Sequence, residues 1–248
     1  MKKAIIGFIS VTIIFGIFMY FINTYKKQED TYVYVITESH FVLTDLTSKM
    51  AFTYFTNNKN FSFIDENTYG IMINEDDTIR FPIDSFEVED THDEYLNGEL
   101  LYGFKIWFQL PEITTSYYFK EFYLKFISID KKVQIYLGDL YVEYEETSNQ
   151  FFKWNKLNAT KKDTPQISQI LVGVPYEQAI EEIYIGPHSV DYFYADKQLV
   201  IKVPDDVFVF LNTYVKLVTE EGITYLPQMP YIINYELLSK GLYHKYMY

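Results

Sequence analysis

The start of the chain contains the feature that most restricts its fold, a stretch of 22 residues, Ala4–Tyr25, without a charged side chain. As an α-helix, this stretch would be about 33 Å long, enough to cross a hydrocarbon core of about 30 Å. A cleaved signal peptide is the alternative, because Lys2 and Lys3 form a short positive region before it. The apolar stretch is too long for that, and no small-x-small cleavage site follows it. We therefore expect residues 4–25 to form an uncleaved, single-pass transmembrane helix that acts as a signal anchor.

The charges beside this stretch give a small preference for one orientation. The α-amine, Lys2 and Lys3 precede it, and Lys26 and Lys27 follow it, which slightly favours a cytoplasmic N-terminus. We accordingly expect the C-terminal body on the extracytoplasmic side of the cell membrane. Residue types with AT-rich codons are abundant, Arg80 is the only arginine, and cysteine is absent. Together with the expected anchor, this composition indicates a bacterial envelope protein.

The body that follows is strongly acidic. Removing residues 1–27, which hold four lysines and no acidic residue, changes the net charge from −13 to −17. A body of this charge is repelled by phosphate backbones, so we expect no nucleic-acid partner. The absence of cysteine excludes disulfides, a thiol nucleophile and cysteine-ligated zinc.

Alternation of apolar residues with period two predicts a mainly β body. In the clearest run, Leu100–Leu110, the even-numbered residues are apolar, whereas the odd-numbered ones include Lys105 and Gln109. Asn97-Gly98 predicts a two-residue hairpin turn just before it. The other predicted strands are Thr31–Thr37, Phe41–Thr47, Met50–Thr56, Tyr69–Ile73, Thr78–Ile83, Leu199–Val203 and Val207–Leu217.

Three segments do not follow a simple alternation. In Val133–Tyr144 the apolar phase slips by one residue at Gly138, which predicts a β-bulge or a sharp bend. Phe119–Phe126 has aromatic residues at helical spacing, but its aromatic content favours a strand. Pro175–Ile185 fits a short helix that opens with its proline.

The predicted fold class is mainly β, an N-terminal transmembrane helix followed by an antiparallel β-sandwich-like body. The polar stretch around residues 145–166 divides this body, although aromatic residues within it indicate that it packs against something. We expect an anchor at residues 1–27, a β domain at 28–150, a linker or long loop at 151–165, and a second β module or a continuation of the first at 166–248. One continuous sandwich with a long crossover is the alternative.

No sequence signature of catalysis or nucleotide binding is present, and we expect no cofactor apart from a calcium candidate. G-x-G-x-x-G, H-E-x-x-H and G-x-S-x-G are all absent. Carboxylates cluster at Glu87, Glu89, Asp90 and Asp93, where they can hold Ca²⁺ or, as paired carboxylates, hydrolyse a glycoside. The D-x-D-x-D-G calcium loop is missing, so a solvated acidic rim is the simpler interpretation.

Aromatic residues are the remaining functional signal, since the chain has 25 tyrosines, more than one core needs. Exposed rings can stack on sugars or contact a protein partner, and half-buried tyrosines at sheet edges would explain the excess equally well. The candidate binding residues are Trp107, Trp154, Tyr243, Tyr246 and Tyr248. We expect a non-enzymatic accessory or protein-binding subunit of a cell-envelope assembly. A cell-wall glycan-binding module and a carboxylate-dependent glycoside hydrolase are the alternatives.

Overall fold

The computed structural model describes residues 30–43, 49–129, 132–144, 151–161, 166–186, 188–204, 212–230 and 237–248. This part of the chain is mainly β and built of antiparallel sheets, which confirms that level of the prediction. Within these ranges there is no α-helix, and a 3-10 turn, Leu238–Lys240, is the only helical element. None of the described residues belongs to a helix with the length and apolar character that a membrane span requires. The predicted anchor, residues 4–25, lies outside the described residues.

The strands are numbered in chain order. Those before residue 145 are β1 (Tyr32–Ile36), β2 (His40–Leu43), β3 (Lys49–Thr56), β4 (Tyr69–Ile73), β5 (Arg80–Ile83), β6 (Phe86–Asp90), β7 (Glu94–Leu96), β8 (Glu99–Gln109), β9 (Tyr117–Ile127) and β10 (Lys132–Glu143). Those after residue 150 are β11 (Lys156–Lys161), β12 (Ile167–Gly173), β13 (Glu182–Ile185), β14 (His188–Ser189), β15 (Tyr192–Ala195), β16 (Gln198–Lys202), β17 (Asn212–Thr213), β18 (Val215–Thr219), β19 (Gly222–Tyr225), β20 (Met229–Pro230) and β21 (Tyr243–Met247).

Two sheets, formed by the strands before residue 145 and by β21, share one hydrophobic core. Sheet I has the strand order β21-β1-β3-β8-β6, with β7 also paired to β8, and sheet II has the order β2-β10-β9-β4-β5. Phe52 and Ile106 of sheet I are fully buried in the same cluster as Phe122 and Leu124 of sheet II. The period-two pattern of β8 and β9 therefore follows from one face of each strand packing into this core.

The later strands form a second core. Sheet III has the order β11-β12-β16-β15, and sheet IV has the order β14-β13-β18-β19. Ile170 and Leu199 of sheet III pack in one buried cluster with Ile183 and Leu217 of sheet IV. The remaining pair, β17 with β20, is a two-stranded ribbon.

A small aromatic cluster connects these regions. Phe41 and Leu43 of β2 are buried together with Tyr214 and Tyr225 from the later part of the chain. Lys216 of β18 also forms an ion pair with Glu143 of β10, and both side chains are largely buried. These contacts do not test the division of the body into two domains, which stays a prediction.

Part of the range 151–165, predicted as a linker or long loop, is strand β11, which pairs antiparallel with β12 and has a register shift between Thr160 and Lys161. One local expectation was wrong. The helix suggested for Pro175–Ile185 is absent, because Ile183 and Ile185 alternate into the second core as part of β13. Strand burial outweighed the helix-start signal of the proline.

The chain path between the first two sheets was not predicted either. After β1 in sheet I, residues 37–39 cross to sheet II, where β2 pairs with β10 in parallel. This parallel pair interrupts the otherwise antiparallel order of the described sheets, because a crossing segment replaces a hairpin. The backbone N–H of Glu38 donates to the carbonyl of Leu137, 2.8 Å away, and so holds the crossing against β10.

The bulge predicted at Gly138 is confirmed, and a second irregularity on β9 accompanies it. The register between β10 and β9 shifts on both sides of Gly138, whose φ is +112°. Lys120 and Glu121 of β9 together face the single residue Asp139, so Phe119 and Phe122 both reach the core although they are three residues apart. This double bulge explains the helical spacing seen in the sequence of β9.

We expect Gly138→Ala to lower the free energy of unfolding by about 3 kcal/mol, because steric overlap adds to backbone strain. A Cβ atom at this position would lie 2.1 Å from the backbone oxygen of Glu38. Gly98→Ala is the matched control, because Gly98 also has a positive φ but no atom lies within 4 Å of the point that a Cβ atom would occupy there. That variant should lose only about 1 kcal/mol. Urea unfolding of the purified chain measures both, and equal losses would show that close approach to Glu38 has no effect.

Candidate functional site

The site lies where the edge of sheet I meets the edge of sheet II. Strand β2 pairs only with residues Leu140–Glu143 of β10, so the first half of β10 has no strand on that side within the described part. The backbone N–H of Tyr136 in that half donates to the hydroxyl of Tyr246 at 2.9 Å. Because Tyr246 belongs to β21, the edge strand of sheet I, this bond joins the two sheets.

A cleft of about 510 Å³ opens beside this bond. We call it the tyrosine cleft, and its lining consists of Glu121, Tyr123, Gln134, Tyr136, His244 and Tyr246. The rings of Tyr123 and Tyr136 are neighbours across β9 and β10, with centroids 5.2 Å apart. The imidazole of His244 meets the Tyr136 ring edge-on at 4.8 Å. Three rings from three strands therefore form adjoining walls of one depression.

Strand alternation places these side chains on the outside. On β10, Ile135 and Leu137 point into the core, so Tyr136 between them faces outward. On β9, Phe122 and Leu124 are buried, and Tyr123 between them also faces outward. The outward phase of a strand normally carries polar residues, so tyrosines in register on neighbouring strands indicate a use for their rings.

The double bulge positions the acidic groups around the cleft. Glu121 has a φ of 56°, a left-handed conformation that is uncommon for a residue with a side chain. Its backbone N–H donates to Asp139 Oδ1 at 3.0 Å, and the hydroxyl of Tyr118 donates to Asp139 Oδ2 at 3.1 Å. The Tyr123 hydroxyl donates to Glu121 Oε2 at 3.1 Å. The carboxylate of Glu121 is therefore held at the wall of the cleft.

Burial and these carboxylates keep the phenols neutral. Burial, and then the hydrogen bond and charge of Glu121, raise the pKa of Tyr123 to about 12. The pKa of Tyr136 is raised by burial and then by the charges of Asp139 and Glu121. Both side chains consequently remain uncharged phenols at neutral pH, and the local charge is that of the carboxylates.

Trp107, the first candidate binding residue, lies on the outer face of sheet I. It borders two cavities of about 110 and 180 Å³, both of which Lys49 also lines. The indole N–H donates to Glu89 Oε2 at 2.8 Å, and Lys105 Nζ lies 4.9 Å from the indole centroid. Both cavities are smaller than the roughly 300 Å³ at which small-molecule pockets begin.

The other candidate rings lie apart from one another. Trp154 packs against the second core, and Tyr243 meets Tyr34 edge-on at 5.2 Å. Tyr248 contacts Phe61 with centroids 5.0 Å apart. Of the five predicted binding residues, Tyr246 alone lines the tyrosine cleft. Sequence reasoning missed Tyr123 and Tyr136, although their outward phase was readable beside the buried phase of β9 and β10.

The candidate calcium ligands have other partners. Glu87 forms an ion pair with Lys49 at 3.2 Å, and Asp93 Oδ1 accepts the backbone N–H of Gly103 at 3.2 Å. Glu89 is the acceptor for Trp107, and Asp90 lies near enough to Tyr54 to act on the pKa of its phenol. In the ranges that the structure describes, no three His, Asp or Glu side chains are placed to share a metal ion. The calcium prediction gains no support from this arrangement.

A further cavity, of about 360 Å³, lies on the later part of the chain. Phe151 and Tyr176 supply its aromatic surface, and Glu177, Glu220 and Glu221 surround them. Its rings come from loops, whereas those of the tyrosine cleft stand on paired strands. Rigid elements hold side chains more accurately than loops do, so the tyrosine cleft is the better candidate.

The cavity of about 110 Å³ is lined by a histidine whose burial has a measurable consequence. His40 Nε2 lies 3.5 Å from Glu38 Oε1, and burial lowers the pKa of His40 to about 4. In the unfolded chain this pKa is near 6.5. The folded state therefore binds the proton less readily, and stability falls as the pH drops from about 6.5 towards 4.

This difference in pKa corresponds to a free energy of unfolding that is about 2 kcal/mol lower at pH 5 than at pH 8. We expect His40→Gln to lack this part of the pH dependence, whereas His244→Gln, at an exposed position, should retain it. Urea unfolding at pH 8 and pH 5 measures the difference between each variant and the unaltered chain. An equal pH response in the unaltered chain and His40→Gln would show that His40 does not titrate in this way.

The chain matches no protein-family model and no curated protein.

Proposed function

We propose that this chain is a non-enzymatic accessory subunit of a cell-envelope assembly. Residues 4–25 anchor it as a single membrane-spanning helix, and its extracytoplasmic β-sandwich-like body binds a protein partner at the tyrosine cleft. The observation that carries this proposal is the cleft itself, in which two outward tyrosines in register, His244 and Tyr246 surround about 510 Å³. That volume lies within the range of binding sites, and tyrosine is enriched in protein interfaces.

The anchor and the cleft complement each other in this proposal. A helix in the membrane confines the body to a thin layer, which raises its effective concentration near a membrane partner. A modest contact at the cleft is then sufficient for association. Aromatic rings held on strands lose little conformational entropy on binding, because their positions are already restricted.

A cell-wall glycan-binding module is the second candidate, and Trp107 favours it. A tryptophan ring beside charged and amide side chains is a suitable surface for a sugar ring. The indole already has partners in Glu89 and Lys105, however, and the adjoining cavities are small. A glycoside hydrolase needs two carboxylates at one cleft, whereas Glu87 lines the neighbouring cavity paired with Lys49. For these reasons the protein-binding function is preferred.

The test is a crosslinked, tagged purification of the intact chain from its native membrane, followed by mass spectrometry. We expect a stoichiometric membrane protein to be recovered, and Tyr136→Leu to reduce its recovery about fivefold, the effect of losing about 1 kcal/mol of contact energy. Tyr95→Leu is the matched control, because Tyr95 is 72% exposed and lies on β7, outside the cleft. Tyr248→Leu alters the C-terminal tail outside the cleft. A loss of partner recovery in this variant would indicate a role of the tail as a whole.

Recovery of the chain alone would reject the accessory-subunit proposal. Sedimentation with purified cell wall that is lost in Trp107→Ala would then support the glycan-binding alternative. Recovery of a partner at equal levels with Tyr136→Leu and Tyr95→Leu would retain the accessory function and exclude the cleft as its contact.

A further inference from the structure

The tyrosine cleft combines aromatic faces with hydrogen-bond acceptors. The Tyr123 and Tyr136 rings meet at an interplanar angle of 52°, and His244 stands at 79° to Tyr136. All three rings line the one cleft, and a cation is attracted to the face of an aromatic ring. The Glu121 carboxylate and the Gln134 amide on the same lining add oxygen acceptors.

The electrostatic environment of the cleft is negative. The charges of Glu121 and Glu75 act on Tyr123, and those of Asp139 and Glu121 act on Tyr136. Among the described residues, the ion pairs of this structure do not include Glu121. The hydrogen bond that the Glu121 carboxylate accepts from Tyr123 leaves its charge in place, because a phenol is neutral.

Two lysines on the strands that carry the lining are engaged elsewhere. Lys125, on β9, forms an ion pair with Asp77 at 2.7 Å. Lys245, on β21, lies over the Tyr32 ring at 3.8 Å and near the Tyr34 ring at 5.3 Å. Because Lys245 alternates with His244 and Tyr246 along the strand, it projects from the opposite face of β21. The lining therefore has a carboxylate and no lysine or arginine.

We propose that the tyrosine cleft binds a primary alkylammonium group, the side chain of a lysine on the protein partner. This inference rests on the proposed function and specifies the chemistry of its contact. A primary ammonium carries three N–H donors, for which Glu121 and Gln134 are acceptors, while the lysine methylenes lie against the rings. A quaternary ammonium has no donor and would leave these acceptors unused. The net charge of −17 beyond residue 27 also attracts a basic segment.

The test uses small probes on the full-length chain in a non-ionic detergent, with binding followed by NMR of isotope-labelled tyrosine rings. n-Butylammonium reproduces the lysine side chain, tetramethylammonium represents a quaternary headgroup, and butan-1-ol is the uncharged control. We expect n-butylammonium to bind with a dissociation constant on the order of 1 mM, since a ligand of five heavy atoms cannot bind tightly. Tetramethylammonium should bind more weakly, and butan-1-ol weaker still.

Two variants localise the binding. Glu121→Gln should weaken the binding of n-butylammonium about tenfold, because the substitution removes the charge of the side chain and keeps its shape. Tyr136→Leu should weaken it about fivefold, because one π-face is lost. The Tyr136 backbone N–H that bonds to Tyr246 is retained in that variant. Tyr95→Leu should leave binding unchanged. If Tyr136→Leu fails to fold, Glu121→Gln and the comparison of the three probes still decide the matter.

Equal binding of n-butylammonium and butan-1-ol would overturn the proposal, since it would show that charge is not recognised. Tighter binding of tetramethylammonium than of n-butylammonium would overturn the assignment to lysine and favour a quaternary headgroup. Loss of partner recovery in Tyr136→Leu without any ammonium binding would reject this inference and leave the proposed function standing. Binding of n-butylammonium at the cleft, together with partner recovery that is unchanged in Tyr136→Leu, would reject the cleft as the contact with the partner. The cation site itself would then still stand.

Discussion

The packing of Gly138 against Glu38 is the constraint on which the site depends. A side chain at residue 138 would collide with the backbone of the segment that crosses from sheet I to sheet II, because a Cβ there would lie 2.1 Å from the Glu38 oxygen. Glycine allows that segment to lie against β10, and β2 then pairs with only the second half of β10. The first half therefore has an edge with which none of the described strands pairs. Tyr246 and His244 of β21 come to that edge and complete the cleft.

The cleft is thus part of the seam that holds the sheets together. The Tyr246 hydroxyl satisfies a backbone N–H that a missing strand would otherwise have paired, and its ring packs against the first core. Tyr123 and Tyr136 differ, because their rings are half-exposed and their strands are already paired through the backbone. Different residues of the cleft therefore serve the stability of the fold and the binding of a partner. Loss of Tyr246 acts on the fold, whereas loss of the Tyr136 ring acts on the surface.

The sequence predicted those features that depend on neighbouring residues. The alternation in Leu100–Leu110, the Asn97-Gly98 turn and the bulge at Gly138 are local, and each is present in the structure. The parallel pairing of β2 with β10 was missed, as was the position of β21 at the edge of sheet I. Both are contacts between residues far apart in the chain, and period-two patterns contain no information on which strands pair. The binding residues were missed for the same reason, since Tyr136 and His244 meet only after β21 has joined sheet I.

Acidic residues are frequent in this chain. The contacts that each carboxylate makes distinguish those that stabilise the fold from the one that we propose for binding. In the 87–94 cluster, Glu87 pairs with Lys49, and Glu94 accepts the backbone N–H groups of Leu237 and Leu238 at 2.8 and 2.9 Å. Glu94 thereby joins the start of the 3-10 turn to β7, so its charge stabilises the fold. Glu121 has a neutral tyrosine as its partner, on the wall of a cleft of about 510 Å³. Its uncompensated charge beside aromatic faces is what a cationic group would recognise, and the density of acids elsewhere in the sequence conceals it.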